Sequence, residues 1–261
     1  MSWSSESGHV VLEHADDVAI VRLDRADKLN ALTVPMLRDV GAAFAALGGA
    51  DDVHGIVLTG AGRAFSAGDD LPATEALAKE DFDELLESFQ ALTRAVLDTT
   101  VPVVAALNGI AVGGAAELTL ACDARVGHAR SDYLFPENQV GLTISNASSY
   151  LLPRAIGSRA LPLVLESRRI SGTEAYDLGL IDYLVDSPEG VLERSLSLLR
   201  TWIDRGLATP FHLRLLRPPR EAVETAMTRE NEIAEQAWRS GTAVEGIKRF
   251  LREQQERKQD R

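Results

Sequence analysis

The sequence has very little cysteine and no recognisable targeting segment. Its 261 residues include one cysteine, Cys122, so no intrachain disulfide can form and a reducing compartment is expected. Cys122 lies in an apolar run, which favours a buried, inert thiol over a nucleophile. The first ten residues contain neither a basic nor an apolar stretch. They do not resemble a secretory signal, and we expect a cytoplasmic protein.

Positive charge is also scarce. The 27 lysines and arginines are outnumbered by 39 aspartates and glutamates, which gives a net charge of −12. Proteins that bind nucleic acid or anionic membranes generally carry a basic surplus, so we expect neither partner. One uncharged stretch, residues 99–116, has the length of a membrane span. It contains Pro102 and the Gly113-Gly114 pair, and therefore predicts a buried strand, turn and helix instead.

Several catalytic and metal-binding motifs are missing. The glycine-rich segments fit neither the phosphate loop GxxxxGK[ST] nor the dinucleotide motif GxGxxG, and no GxSxG nucleophile elbow is present. The histidines lack the spacing of metal ligands, so no metal site is expected. They are His9, His14, His54, His128 and His212.

The sequence does contain an alternation of strand and helix patterns. Residues 18–24 alternate in the manner of a strand, and 55–59 is a continuous apolar run typical of a strand buried on both faces. The patterns of 34–47, with Thr33 as N-cap, and of 82–97 predict amphipathic helices. Such alternation predicts an α/β fold with a mainly parallel sheet, and turns of strand, strand and helix would also build a spiral.

The pattern changes to helix throughout from Pro188 onward. We therefore divide the chain into a core, residues 1–195, and a C-terminal helical region, residues 196–261. Large aromatic residues of this last region have the spacing of exposed positions, which suggests packing against another subunit. They are Trp202, Phe211, Trp238 and Phe250.

Two glycine-rich turns each follow a predicted buried strand. The first is SAGDDL, residues 66–71, and the second is VGGA, residues 112–115. The second lies in 101–126, where a strand-like run breaks at Gly113-Gly114 and continues as a short helix. One backbone N–H from each turn would form an oxyanion hole, in which donors stabilise negative charge on an oxygen. On glycine content alone, two plain tight turns are the commoner explanation.

Two acids lie near these turns in the sequence. Glu117 follows Gly114 in an otherwise apolar helix, and Glu137 follows Pro136 in a predicted loop, residues 136–141. Burial raises the pKa of a carboxyl group, which suits general acid and base work. Two simpler interpretations stay open. Glu117 would be a buried acid bonded to backbone amides or paired with Arg125, and Glu137 would be a solvated loop acid.

Five segments, in this order and spacing, carry a resemblance to a known family. They are RADKLNAL, AFSAGDDL, ALNGIAVGGAAEL with CDARV, FPENQVGL and ISGTEAYDLGLID. Together they resemble the crotonase superfamily, the enoyl-CoA hydratase/isomerase family, over about residues 10–254. Any one segment is modest support. Five in register are specific for that fold and for chemistry on coenzyme A thioesters.

The resemblance implies a core of repeated β-β-α turns in a spiral and a C-terminal helical region that builds trimers, often stacked as hexamers. It implies an acyl-CoA substrate and no separate cofactor, because coenzyme A is part of the substrate. It places the oxyanion-hole donors at the backbone N–H groups of Asp69 and Gly114, and makes Glu117 and Glu137 the catalytic pair. The residues that it places near the CoA portion are Lys28, Leu29, Ala67, Gly68, Asp70, Leu71 and Gly113, with Phe250 at the adenine of a neighbouring subunit's CoA.

The reaction implied by two retained glutamates is hydration of a 2-enoyl-CoA thioester. One carboxylate activates a water for attack at C3, and the other carboxyl delivers a proton to C2. The other reactions of the family stay open as alternatives: double-bond isomerisation, thioester hydrolysis and retro-aldol cleavage. A further alternative is a catalytically idle member that binds CoA thioesters and serves in assembly.

The chain departs from the family pattern in two places. Residues 142–150 lack the usual glycines, and Ser145 stands where hydratases often have glycine and some isomerases have a catalytic aspartate. The missing aspartate argues against that isomerase type. Asp69 is charged where a small or neutral residue is common, and we expect its carboxylate at the mouth of the pocket.

Overall fold

A computed structural model of the chain describes residues 4–70 and 79–259. Leu71, and most of the charged segment that follows it, lie outside the described residues. The strands are β1 (Val10–Ala15), β2 (Val18–Leu23), β3 (Gly55–Gly60), β4 (Ala64–Ser66), β5 (Val103–Leu107), β6 (Ile110–Val112), β7 (Ala124–His128), β8 (Asp132–Leu134), β9 (Ile170–Ser171) and β10 (Tyr183–Val185). The helices are α1 (Val34–Leu47), α2 (Lys79–Leu97), α3 (Gly114–Thr119), α4 (Glu137–Val140), α5 (Ser148–Ile156), α6 (Ala160–Glu166), α7 (Gly172–Leu178), α8 (Glu189–Arg205), α9 (Thr209–Leu216), α10 (Arg220–Arg239) and α11 (Thr242–Gln259).

The strands form two sheets that the chain visits in turn. The larger has the order β1-β2-β3-β5-β7-β10 and the smaller β4-β6-β8-β9. β3 and β4, β5 and β6, and β7 and β8 are successive pairs that give one strand to each sheet, and a helix follows each pair. From β2 to β10 the larger sheet is parallel. Repeated strand, strand and helix therefore builds a spiral, so the spiral interpretation is correct.

The alternation predicted for β2 separates two cores rather than a core from solvent. Ala19 and Val21 belong to the main apolar cluster, beneath α1. Val18 and Ile20 belong to a second cluster, which they share with residues of α8 such as Leu199. Both faces of the larger sheet are covered, as expected where crossover helices pack on parallel strands.

Side chains cap the starts of two helices, and one of them, Thr33, is the N-cap that the sequence predicts. The Thr33 side chain accepts a hydrogen bond from the Met36 amide at the start of α1. Ser171 accepts one from the Glu174 amide at the start of α7. A side-chain oxygen at this position satisfies an N–H group that has no partner within the helix.

The structure bears on two predictions, the loop at residues 136–141 and the division of the chain at residue 195. The predicted loop 136–141 contains a short helix, α4, because the Pro136 carbonyl accepts hydrogen bonds from the Gln139 and Val140 amides. The predicted division at residue 195 falls inside α8, whose inner face packs on the larger sheet. The two-part division stays a prediction.

The aromatic residues of the C-terminal region do not share one environment. Trp238 stacks on Phe82 of α2, with ring centroids 4.6 Å apart, and is only partly exposed; its packing against another subunit stays a prediction. Trp202 is partly buried against the second cluster. Phe211 on α9 remains exposed. Within the ranges given above, no helix is both long enough and apolar enough to cross a bilayer.

Candidate active site

The turn between β6 and α3 requires two glycines. Gly113 has a φ of 55°, which side chains rarely adopt, and its amide donates to the Leu134 carbonyl over 2.9 Å. A Cβ on Gly114 would lie 2.8 Å from the ring of Phe89. Only residues without side chains let the backbone turn this close to α2. The Gly114 amide then stands in the first turn of α3, where N–H groups have no acceptor within the helix.

The other glycine turn packs against the end of β6. Gly68 has a φ of 81°, and a Cβ there would lie 2.6 Å from the Val112 carbonyl oxygen. The turn is fixed from the opposite side because the Leu32 amide donates to the Gly68 carbonyl over 2.7 Å. The two turns that the sequence singles out are therefore neighbours in space. They are more than unrelated tight turns.

Both turns line one cavity, which is partly open to solvent. Seven residues that the sequence predicts for the site lie along it, and the structure brings them together. They are Ala67, Gly68, Asp69, Gly113, Gly114, Glu117 and Glu137. The remaining lining is mostly apolar: Phe82, Leu85, Leu86, Phe89, Val112, Pro136, Val140, Leu142, Thr143, Ser145 and Ala234.

Glu117 lies on the wall of this cavity in a buried helix, and only 1% of its surface is exposed. It accepts hydrogen bonds from the Ser145 amide, over 3.0 Å, and from the Ser145 hydroxyl, over 2.8 Å. The Asn146 side-chain amide donates to the same carboxylate over 3.1 Å. Burial raises the pKa of Glu117 well above its usual range, and the neighbouring Glu137 carboxylate adds to this.

The alternative in which Glu117 pairs with Arg125 is wrong. Arg125 forms its ion pair with Asp182, over 2.7 Å. The alternative of bonding to backbone amides holds in part, since one of the donors is the Ser145 amide. Because the cavity reaches Glu117 as well, the backbone contact and a chemical role are compatible.

Glu137 lies opposite, in α4, and is 6% exposed, so it is no solvated loop acid. Its Oε2 atom is buried and has no hydrogen-bond partner among the described residues. Oε1 would stand 3.2 Å from a Cβ on Gly113, so the acid lies directly beside the glycine turn. Burial raises the pKa of Glu137 to about 8, and the Asp69 carboxylate contributes to the rise.

Asp69 is partly exposed, but one oxygen of its side chain is turned inward, away from the mouth of the pocket where we expected the carboxylate. Its Oδ1 atom is shielded from solvent and has no partner among the described residues. A Cβ on Gly114 would lie 3.0 Å from this oxygen. Burial raises the pKa of Asp69 to about 6. Three carboxyl groups therefore line the cavity.

The unusual segment after Gly141 wraps around Glu117. Asn146 and Ala147 both have a φ of 60°, in the left-handed region. Glu230 of α10 holds this backbone, because its carboxylate accepts from the Ala147 amide over 2.9 Å and from the Ser149 amide over 2.8 Å. Sequence reasoning missed Glu230. The available signal was an acid on the otherwise apolar face of α10 that also carries Val223 and Met227.

Three of the other residues expected near CoA, Lys28, Leu29 and Asp70, are not part of the cavity lining. The Leu29 carbonyl accepts from the Ala67 amide over 2.9 Å, which places the exposed Lys28 beside the first turn. Asp70 pairs with Arg25 over 2.7 Å. Leu71 lies outside the described residues. Phe250 is half-buried on α11, away from the cavity lining, and its contact with a neighbouring subunit's CoA stays a prediction.

Comparison with known proteins identifies the family. Residues 13–260 match the family described as enoyl-CoA hydratase/isomerase. The chain belongs to the enoyl-CoA hydratase/isomerase family. The family fold predicted from the sequence is confirmed by the enoyl-CoA hydratase of Bacillus halodurans, which superimposes with a TM-score of 0.85 at 24% identity, over 92% of this chain and 99% of that one.

Relatives of this enoyl-CoA hydratase/isomerase family member are named for more than one reaction. Enoyl-CoA hydratase ACTT3 of Alternaria alternata is 31% identical over 269 residues, which cover 99% of this chain and 90% of that protein. The 4-chlorobenzoyl coenzyme A dehalogenase-2 of an Arthrobacter species is 35% identical over 186 residues, which cover 69% and 67%. Family membership supports an enzyme, and the reaction has to be argued from the site.

The apolar wall is the part of the family site that sequence reasoning did not find. Phe82, Leu85 and Phe89 form the inner face of α2, as the helical spacing predicts. That spacing shows which side is buried but not that a cavity lies in front of it. Ala234 of α10 joins the same wall from a distant part of the chain.

Proposed function

We propose that the chain is an enoyl-CoA hydratase, which adds water across the 2,3 double bond of a 2-enoyl-CoA thioester. One observation carries this proposal: Glu117 and Glu137 line the same cavity as the two glycine turns. Addition of water needs a base and an acid on either side of one double bond. A pair of buried carboxyl groups supplies both without a resident cofactor.

The hydrogen bonds favour different roles for the two acids. Glu117 receives donors from Ser145 and Asn146, which stabilise its ionised form against the larger, opposite effect of burial, so we assign it as the base. Glu137 has a buried oxygen without a partner and a pKa of about 8, so it is protonated at neutral pH and we assign it as the acid. In the forward reaction Glu117 takes a proton from water while the water oxygen bonds to C3. Glu137 then gives its own proton to C2.

The glycine turns supply stabilisation of the charge that develops between these steps. Attack at C3 moves electrons onto the thioester oxygen, which becomes enolate-like. Backbone N–H groups of Asp69 and Gly114 are the donors that we assign to this oxygen. The apolar wall from α2 indicates an acyl group that is itself apolar, because burying it there removes hydrocarbon surface from water.

A second candidate reaction comes from the dehalogenase relative. The Arthrobacter protein is named for 4-chlorobenzoyl-CoA, an aryl thioester. The aromatic side chains of Phe82 and Phe89 on the cavity wall would suit an aryl group too. Release of chloride from this thioester is therefore the comparison reaction. Chloride release without hydration would replace the proposed function.

The test follows the loss of the enone absorbance of short, medium and aryl 2-enoyl-CoA substrates. We expect turnover of at least one. Glu117→Gln and Glu137→Gln should each lower kcat by roughly 10²–10⁴-fold, the scale of a general acid or base. Glu193→Gln is the matched control, because Glu193 is an exposed glutamate of α8 that does not line the cavity.

Absence of turnover with every member of the substrate panel would contradict the hydratase assignment. A near-normal rate in one of the two variants would remove only that glutamate from the mechanism. Binding of an enoyl-CoA without turnover would favour the catalytically idle alternative.

A further inference from the structure

The Asp69 carboxyl group has no role in the mechanism described above, which uses only the Asp69 backbone. Its Oδ1 atom is nevertheless turned into the cavity, buried and without a partner among the described residues. A buried polar atom without a partner is costly unless something offsets the cost. Across the Gly113-Gly114 turn lies Glu137 Oε2, which is buried and unpartnered in the same way.

The charged residues that line the cavity with Asp69 are acids, while Arg249 of α11 donates to the Gln139 carbonyl of α4 over 2.8 Å from outside the lining. Glu117 faces Asp69 from α3 and Glu137 from α4, while α2 presents only apolar side chains such as Phe89. Glu230 of α10 lies behind Glu117. No lysine, arginine or histidine occurs among the described residues of the lining.

The nearest cation on the same loop does not relieve this concentration of acids. Arg25 is engaged by Asp70, over 2.7 Å, and by the Ala31 carbonyl, over 3.1 Å. Carboxyl groups that share a cavity whose described lining holds no cation oppose one another's ionisation. Ionisation of one disfavours ionisation of the next, so their protons are lost in separate steps.

We propose that Asp69 is a positioning residue that acts through Glu137: its negative charge keeps the Glu137 carboxyl protonated, and so ready to donate, at neutral pH. The proposal rests on the assignment of Glu137 as the acid of the proposed function. The two groups titrate in the order that this needs. Asp69 has a pKa of about 6 and Glu137 one of about 8, so near pH 7 the first is charged and the second is not.

The kinetic test is Asp69→Asn, which removes the charge and keeps the shape and the backbone N–H. Without the neighbouring charge the pKa of Glu137 falls, although burial still holds it above its ordinary value. The alkaline limb of the kcat/KM profile should therefore move to lower pH by about one pH unit. A merely structural residue would lower the rate at all pH values and leave the limb in place.

The matched control is Asp16→Asn. Asp16 is exposed, far from the cavity, and has a φ of 59°, which asparagine tolerates as well as aspartate does. Its pH profile should coincide with that of the unaltered protein.

A second measurement needs no turnover, and it separates failure of this proposal from failure of the proposed function. A carboxyl group whose pKa is raised by folding stabilises the fold while protonated and loses that contribution as the pH rises through its folded pKa. In the unaltered chain the Asp69 and Glu137 contributions to this loss fall between about pH 4 and about pH 8, and Glu117 adds a further contribution. In the Asp69→Asn variant the loss of stability caused by ionisation of Asp69 is absent. The loss caused by ionisation of Glu137 is complete at a lower pH, because the pKa of Glu137 is lower.

The fall in Tm between about pH 5 and about pH 8 should therefore be smaller for Asp69→Asn than for the unaltered chain. Circular dichroism at both pH values shows whether the variant is folded. Parallel Tm curves for the two proteins over this range would overturn the proposal, whatever the substrate. A smaller fall in Tm together with no enoyl-CoA turnover would retain the coupling and refute only the hydratase assignment.

Discussion

Ser145 departs from the family pattern, and its contacts with Glu117 show what the departure does. In the sequence it stands where hydratases often have a glycine. In the structure its amide and its hydroxyl both donate to Glu117. A glycine at this position would supply the amide alone. The serine therefore adds a donor to the base, and the departure strengthens the site that it interrupts.

Replacement of Ser145 by alanine tests this role. The hydroxyl lowers the pKa of Glu117 against the larger effect of burial, so its loss raises that pKa further. A larger fraction of Glu117 is then protonated and unable to accept a proton from water. The acidic limb of the kcat/KM profile should move to higher pH, and kcat should fall about tenfold, the value of one hydrogen bond to a charged group.

Ser148→Ala provides the control for the Ser145 variant. Ser148 is equally buried and lies in the same segment, but its hydroxyl has no hydrogen-bond partner among the described atoms. Its removal should leave the pH profile unchanged. If Ser145→Ala also leaves the acidic limb in place, the hydroxyl does not stabilise the ionised base, and the assignment of roles to the two glutamates loses its main support.

At the scale of elements, α10 fixes the start of α5. The first N–H groups of a helix have no acceptor within it, and Ala147 and Ser149 direct theirs to the Glu230 carboxylate. Glu230 is itself 5% exposed. Helix α5 follows the two left-handed residues that bring Asn146 to Glu117. By holding the start of α5, Glu230 of the C-terminal region therefore helps to position Asn146 against Glu117.

Glu230→Ala should destabilise the fold by about 2 kcal/mol, since it leaves buried amides unsatisfied. Chemical denaturation followed by circular dichroism measures the free energy of unfolding. Glu232→Ala is the control, because Glu232 is exposed on the same helix and should change this free energy by less than about 0.5 kcal/mol. A Glu230 variant as stable as its control would show that the cap is dispensable for folding.

The elements that sequence reasoning predicts best are those determined by local patterns. The buried strand β3, the helix α1 with its Thr33 cap, and the turn at Gly113-Gly114 all follow from spacing and glycine content. So does the inner face of α2. For each of these the interactions that decide the structure lie within one element or its immediate neighbours, and a single stretch of sequence contains them.

Other parts of the site depend on residues distant in sequence. The contact between Glu230 and Ala147 joins positions 83 residues apart. Asp69 was singled out as a charged residue, but its inward orientation follows from the approach of Gly114 and could not be read from its own loop. The left-handed Asn146 and Ala147 carry no glycine to signal such a turn. These features were fixed by tertiary contacts rather than by local preference.

At the scale of the whole molecule, one apolar surface remains uncovered on α9. Phe211, Leu215 and Leu216 are all more than half exposed, and Leu207 just before the helix is fully exposed. Contact with a second copy of the chain would remove this apolar surface from water. Such burial stabilises the assembly by about 25 cal/mol per Å². This surface lies in the region for which the sequence predicts an oligomer.

We expect a homotrimer or a homohexamer in solution, three or six times the 28.2 kDa of one chain by light scattering after size exclusion. The pair Phe211→Glu and Leu215→Glu, one helical turn apart, should reduce this mass to that of a monomer, because the interface would then bury charges without partners. Leu161→Glu is the control, an exposed leucine on a different helix, α6. A monomeric unaltered chain would contradict the assembly, and dissociation by Leu161→Glu alone would move the interface to the α6 surface.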